Sequence, residues 1–176
     1  MSAQVPTLYT QRLVLRTLGH QDADAIVRIA GDYTVSKWLI PVPYPYSLTD
    51  AHTFLSLALA GEEGPIWAIT LEGRMIGVVG LDDVLGYYLD PKHWGQGMTS
   101  EAVAAVIAYR FSDPSLNCIF SGHFEGNEGS RRVLEKAGFK PTGTDTRNSV
   151  ARKEDVRHYT MELTRQTWSA LKQSHE

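Results

Sequence analysis

The run Trp94-Gly95-Gln96-Gly97-Met98-Thr99-Ser100 carries the residue types and spacing that point most directly to chemistry. Two glycines stand at i and i+2, after an apolar strand pattern and before a helical one. Glycine lets the backbone turn and lets a ligand approach closely. A helix N-terminus presents N–H groups without intrahelical partners, at the positive end of the macrodipole. Together these suit an anion such as a pyrophosphate. Thr99 and Ser100 add hydroxyls or a cap. The P-loop needs a lysine after its last glycine, and none follows Gly97. The dinucleotide fingerprint needs a third glycine, where Ser100 stands. A lone G-x-G is also a common turn, so these residues alone leave both readings open.

The elements that must position this loop alternate along the chain. Arg12 to Leu18 reads as a strand, with Leu13, Leu15 and Thr17 on one face. Asp22 opens an amphipathic helix through Ala30. Pro41, Pro43 and Pro45 force an irregular loop that also carries Trp38, Tyr44 and Tyr46. A second helix, capped by Ser47 or Thr49, turns Leu48, Ala51, Leu55 and Leu59 inward. Ile66 to Leu71, Arg74 to Leu81 and Leu85 to Leu89 are three strands joined by short turns, hence antiparallel hairpins. A helix begins near Thr99, buries Val103, Val106, Ile107 and Phe111, and ends at Asp113-Pro114. Cys118 to Phe124 is a strand in which Ile119, Ser121, His123 and Glu125 alternate with Cys118, Phe120, Gly122 and Phe124. Asn127 to Ala137 is a helix closed by Gly138. Strands follow in Phe139 to Thr144 and His158 to Leu163, and Arg165 to Lys172 is a last helix or a loose tail. The strand–helix–strand from Leu85 to Phe124 requires a parallel pair with a crossover.

Three stretches, Gly86 to Ala102 around the Trp94-Gly95-Gln96-Gly97 run, Asn127 to Phe139 with Ser130 and Gly138, and Thr10 to Arg16, together resemble the GNAT acetyltransferase superfamily, in its RimJ/RimL-like branch of ribosomal-protein N-terminal acetyltransferases. That branch reads close to GYWLDPxYWGQGYATEA. The chain has Gly86-Tyr87-Tyr88-Leu89-Asp90-Pro91, then Trp94 to Gly97, then Glu101-Ala102. Asn127, Ser130, Arg132-Val133-Leu134-Glu135-Lys136 and Gly138-Phe139 match the branch's N-x-x-S-x-R-V-L-E-K-x-G-F. Thr10-Gln11-Arg12-Leu13-Val14-Leu15-Arg16 resembles its first strand. Thr99 replaces the usual alanine, Met98 the usual aromatic, and Leu134 a tyrosine that in many members acts as acid toward the CoA thiolate.

The resemblance implies an α/β (α+β) fold, one acetyltransferase domain over 1–176 with its core at about 8–163. The central sheet would be mixed, mostly antiparallel, of about six or seven strands with a splayed parallel pair and about four flanking helices. It implies acetyl-CoA as cosubstrate and direct attack by an amine, either a protein N-terminus or a small molecule. The cofactor-binding set would be Tyr88, Leu89, Trp94, Gly95, Gln96, Gly97, Met98, Thr99, Ser100, Asn127, Ser130, Arg131 and Lys136. A backbone N–H near Tyr88 or Leu89 would meet the oxyanion. Ser130 would serve the thiolate in place of the missing tyrosine, or simply bind CoA or cap its helix. His123, with an ordinary pKa of about 6.5, or Glu125, if burial raises its pKa, would be the base; solvated loop-end residues are the alternative. Trp38, Tyr44, Tyr46 and Trp67 would hold the acceptor, or pack as an apolar lid.

Composition narrows the field further. The 176 residues are 43% hydrophobic and 21% charged, with a net charge of −3. That gives no electrostatic case for nucleic acid and none for a membrane surface. A single cysteine, Cys118, excludes an internal disulfide and fits a cytoplasmic protein. His20, His52, His93, His158 and His175 show no metal-ligand spacing, so no metal is expected. A homodimer is expected by family analogy and by the frequency of twofold dimers. Two further readings compete: a CoA-binding sensor on a degenerate scaffold, and a nucleotide-phosphate enzyme.

Overall fold

A computed structural model describes residues 5–174; His175 lies outside them. The elements are β1 (Leu8–Tyr9), β2 (Leu13–Arg16), α1 (Ala23–Ala30), α2 (Tyr33–Ser36), α3 (Leu48–Ala60), β3 (Ile66–Leu71), β4 (Arg74–Leu81), β5 (Leu85–Leu89), α4 (Met98–Arg110), β6 (Cys118–Phe124), α5 (Glu128–Ala137), β7 (Lys140–Ser149), β8 (Glu154–Thr164) and α6 (Arg165–Gln173). Two 3₁₀ turns, His20–Asp22 and Pro91–His93, complete the set.

The first sheet is antiparallel, in the order β1-β2-β3-β4-β5; short turns join β1 to β2, β3 to β4 and β4 to β5, whereas α1 to α3 stand between β2 and β3. Leu71 pairs with Arg74 across Glu72 and Gly73, whose φ values of 50° and 77° are those of a two-residue hairpin turn. The second sheet is β6-β8-β7, also antiparallel. The expected parallel pair, β5 with β6, is only one bridge long, Val84 with Phe120. The Phe120 N–H donates to Asp83 O at 2.8 Å, and Ser121 Oγ donates to Leu85 O at 2.9 Å. Beyond that point twist carries the strands apart. The single mixed sheet expected from the sequence is therefore two sheets hinged at one bridge.

Two apolar cores cover the faces of the first sheet. Leu13, Leu15, Trp67, Ile69, Leu85 and Leu89 meet α4 and α5 on one side. Ala68, Met75 and Val78 meet α1 and α3 on the other. Each fully buried leucine contributes about 1.5–3 kcal/mol. Ser47 caps α3 in a reciprocal box with Asp50, at 3.1 Å and 2.7 Å.

Several expectations shift. Leu48, the first residue of α3, is exposed rather than inward. Helix α2 falls within what read as loop; it is one turn long, too short to carry periodicity, although Asp32 caps it. Strands β7 and β8 run longer than expected. β7 is exposed at nearly every position, which erases the alternation that marks a strand. The C-terminal stretch is a helix, capped by Thr164 and held by Trp168, whose ring lies 4.9 Å from that of Phe111. Among the described residues, no helix is long and apolar enough to cross a membrane.

Candidate active site

Gly95 and Gly97 both adopt left-handed φ, 71° and 76°. Gly97 is the N-cap of α4 and supplies no side chain to it, so side chains leave the first N–H groups of the helix unpartnered. A Cβ built at Gly95 would meet no atom within 4 Å. The loop is thus an open cradle at a positive helix end, which fits the pyrophosphate of CoA. A clasp from the first sheet holds it. Thr10 Oγ1 and the Arg12 backbone N–H donate to Glu101 Oε1 at 2.6 Å and 2.7 Å, and Arg12 Nε donates to Glu101 Oε2 at 2.7 Å. Arg12 Nη1 then reaches Gln96 O at 2.9 Å. Burial works against the Glu101 carboxylate, but these hydrogen bonds outweigh it and hold its pKa below the usual range. Sequence reading noted both motifs without their contact, because 91 residues separate Thr10 from Glu101.

A cavity of about 800 Å³ opens where β5 and β6 diverge. Tyr88, Leu89, Trp94, Gly95, Thr99, Asn127 and Ser130 of the expected cofactor set line it. Gln96, Gly97, Met98 and Ser100 do not. Met98 is buried in the first core, and Gln96 folds back to donate to Lys92 O at 3.1 Å. Arg131 does not face the cavity either. Glu128 at 2.6 Å and Glu135 at 2.9 Å hold it on the surface of α5. Lys136 is exposed on the same helix, away from the cavity. Asn127 caps α5, its Oδ1 accepting from the Ser130 N–H at 3.2 Å.

Strand geometry corrects the choice of oxyanion donor. The Asp90 N–H donates to Ile76 O on β4, whereas Leu85 O accepts from Ser121 on β6. Backbone groups alternate along a strand. The Tyr88 N–H therefore points into the sheet, and those of Tyr87 and Leu89 point into the gap. In the sequence Tyr87 stands out only as part of the Gly86 to Pro91 motif. Its Oη lies 2.8 Å from Ser130 Oγ. Burial pushes its pKa up to about 12, against a smaller opposing effect of the Ser130 contact. Leu134 is fully buried in the core and offers no acid.

The expected base and acceptor residues scatter. His123 is buried rather than solvated; it borders the cavity on the β6 face shared with Ile119 and Ser121, and its ring stacks on Tyr159 at 5.2 Å. Glu125 is exposed and lies outside the cavity, accepting from Tyr159 Oη at 3.3 Å. Trp38 lines the cavity, with Lys37 Nζ 4.9 Å from its ring centre. Trp67 does not reach it: the indole is fully buried and donates to Pro6 O at 2.9 Å. Tyr44 is exposed against Tyr33, and Tyr46 packs into the second core, where burial and then Asp50 push its pKa up to about 12. β3 is buried on both faces, so Trp67 packs into the first core instead of reaching the acceptor side. Among the described residues, no cluster of three or more His, Cys, Asp or Glu could hold a metal ion.

Known proteins share this fold. A family model for the acetyltransferase (GNAT) domain matches residues 12–140. The uncharacterized N-acetyltransferase YoaA of Bacillus subtilis (strain 168) is 30% identical over 151 residues, covering 78% of this chain and 85% of that one. The structure of Mycobacterium smegmatis RimJ in complex with CoA-disulfide superposes with a TM-score of 0.78 at 22% identity, covering 92% of this chain and 88% of that one. The structure of AAC(6')-Ib with ribostamycin and coenzyme A gives 0.74 at 21% identity, covering 90% and 97%. The family model and the Bacillus relative, each spanning most of this sequence, identify the chain as a member of the GNAT acetyltransferase family.

Proposed function

We propose that the protein transfers the acetyl group of acetyl-CoA to a primary amine by direct attack within a ternary complex. The observation that carries this is the open, left-handed Gly95–Gly97 cradle at the end of a cavity that also holds Tyr87 and Ser130. Acetyl-CoA supplies an activated thioester. The α4 N-terminus binds its phosphates, and Trp94, Thr99 and Asn127 border its arm. The Leu89 and Tyr87 N–H groups meet the oxyanion, which develops negative charge as the amine adds. The Tyr87–Ser130 pair receives the departing sulfur. A phenol held near 12 hydrogen-bonds that sulfur rather than protonating it outright. Trp38, with Val35, Ile40 and Phe120, forms the apolar wall of the acceptor side.

The acceptor is a peptide N-terminus or a small amine, the two classes suggested by RimJ and by AAC(6')-Ib with ribostamycin. Thermal denaturation with acetyl-CoA, CoA, ATP and NAD tests the cofactor, since a ligand of the native state alone raises its stability. Stabilisation by acetyl-CoA and CoA alone is expected. Equal stabilisation by ATP or NAD would make this a nucleotide-phosphate enzyme. Thiol release across a panel of peptides, amino acids, polyamines and aminoglycosides then identifies the amine; tight CoA binding with no release would make it a sensor.

A further inference from the structure

The second sheet turns one face toward the acceptor side of the cavity. Phe124, His158 and Asp145 stand opposite one another across β6, β8 and β7, and Gly122 stands opposite Thr160. Residues paired in this way share a face. Gly122, His158, Thr160 and Arg147 all line the cavity. His123 belongs to the other face of β6, so it turns away from these residues.

His158 is built into this face. Its Nδ1 lies 2.8 Å from Asp145 Oδ1. Its ring lies over the bare Cα of Gly122: a Cβ there would fall 2.3 Å from Cε1 and 2.4 Å from Nε2. The edge of Phe124 packs beside it, centroid to centroid 5.8 Å. Nε2 makes no hydrogen bond among the described residues. It is not sealed in either, since Ser36 Oγ is the one fully buried, unpartnered side-chain polar atom among those residues. Nε2 therefore keeps some exposure on a residue that lines the cavity.

We infer that His158 is the general base that takes the proton from the acceptor ammonium, and that Asp145 is a positioning residue that fixes its tautomer. This rests on the acetyltransferase reading above. A carboxylate at Nδ1 selects the Nδ1–H tautomer of the neutral imidazole and fixes the ring, which leaves the Nε2 lone pair to meet the ammonium, the arrangement general-base chemistry requires. Nε2 accepts one proton from the ammonium and passes it to solvent. The freed lone pair attacks the thioester carbonyl carbon, forming C–N. The adduct collapses by breaking C–S; nitrogen loses its second proton, and the sulfur leaves as thiol with one proton gained. Arg147 bonds Asp145 Oδ2 at 2.7 Å, and that bond, then the one from His158, keeps the carboxylate ionised well below neutral pH. The charged groups facing the imidazole are thus Asp145 and Arg147 from β7; β6 offers it only Gly122 and Phe124.

His158→Ala and His158→Gln should lower kcat/KM about 100-fold, the usual scale of base catalysis, and abolish its acidic limb. Asp145→Asn should lower kcat with little change in the amine KM. The acetyl-CoA thermal shift should survive in all three. Rates within twofold of wild type, or an unchanged acidic limb, would overturn the assignment. Should wild type release no thiol with any amine, nitrogen-15 NMR still decides: His158 should show Nδ1–H with bare Nε2, and lose that preference in Asp145→Asn. An Nε2–H tautomer in the wild type would overturn the inference. Loss of the acetyl-CoA shift in the wild type itself would instead strike the cofactor reading.

Discussion

In the proposed mechanism Tyr87 and Ser130 share the task that the family resemblance gives to a tyrosine at the position of Leu134. Their oxygens touch across the cavity at 2.8 Å, one from β5 and one from α5. Tyr87→Phe removes a largely buried hydroxyl but keeps the ring. We expect kcat to fall about tenfold, the lower range for losing one proton-handling group, with the acetyl-CoA KM nearly unchanged. Ser130→Ala should behave alike, and the double variant should lose less than the product of the two, because they act as a unit. Steady-state kinetics on the three variants checks this; independent, multiplicative losses would argue against a shared role. Ser130 was legible because it sits inside a motif. Tyr87's partnership was not, because it depends on a contact 43 residues away. His158 was hidden for the same reason: Asp145 is 13 residues distant, and only hairpin register brings the two together.

Among the elements, α4 and the loop before it were the most legible. Two glycines, a Trp and a helical pattern fix where the strand ends and the helix starts, within a residue of Thr99. The clasp from the β1–β2 turn was not legible, and it makes the anchoring of α4 depend on the charge of Glu101. Glu101 has a lowered folded-state pKa, so it binds fewer protons when folded than when unfolded near pH 4. Its stabilisation is full above the unfolded value of about 4.3 and disappears as pH falls through the folded value. Glu101→Gln should therefore melt below wild type at pH 7, and the gap should close in acid. A melting difference independent of pH would show that the carboxylate's charge is irrelevant to the clasp. β7 marks the opposite limit of legibility: ten mostly exposed residues form a strand because β8 pairs with them, not because of any pattern of their own.

At the scale of the molecule, the sequence already required strands, helices and one parallel crossover. It did not reveal that the crossover ends in two sheets touching at Val84 and Phe120. Burial pattern decides which face a strand presents, but not how many residues of a neighbour it keeps. That single point of contact has a kinetic signature. Amides on either side of a mature ladder exchange slowly with solvent deuterium, whereas the Tyr87 and Leu89 amides have no strand opposite them. They should exchange far faster than those of Gly86 and Tyr88, their immediate neighbours in the same strand. Adding acetyl-CoA should slow the fast pair and leave the slow pair alone. Residue-resolved amide NMR reads the contrast directly, and uniform exchange along β5 would refute it. A strand protected on one edge and bare on the other is thus its own occupancy gauge, one that needs neither an acceptor nor turnover.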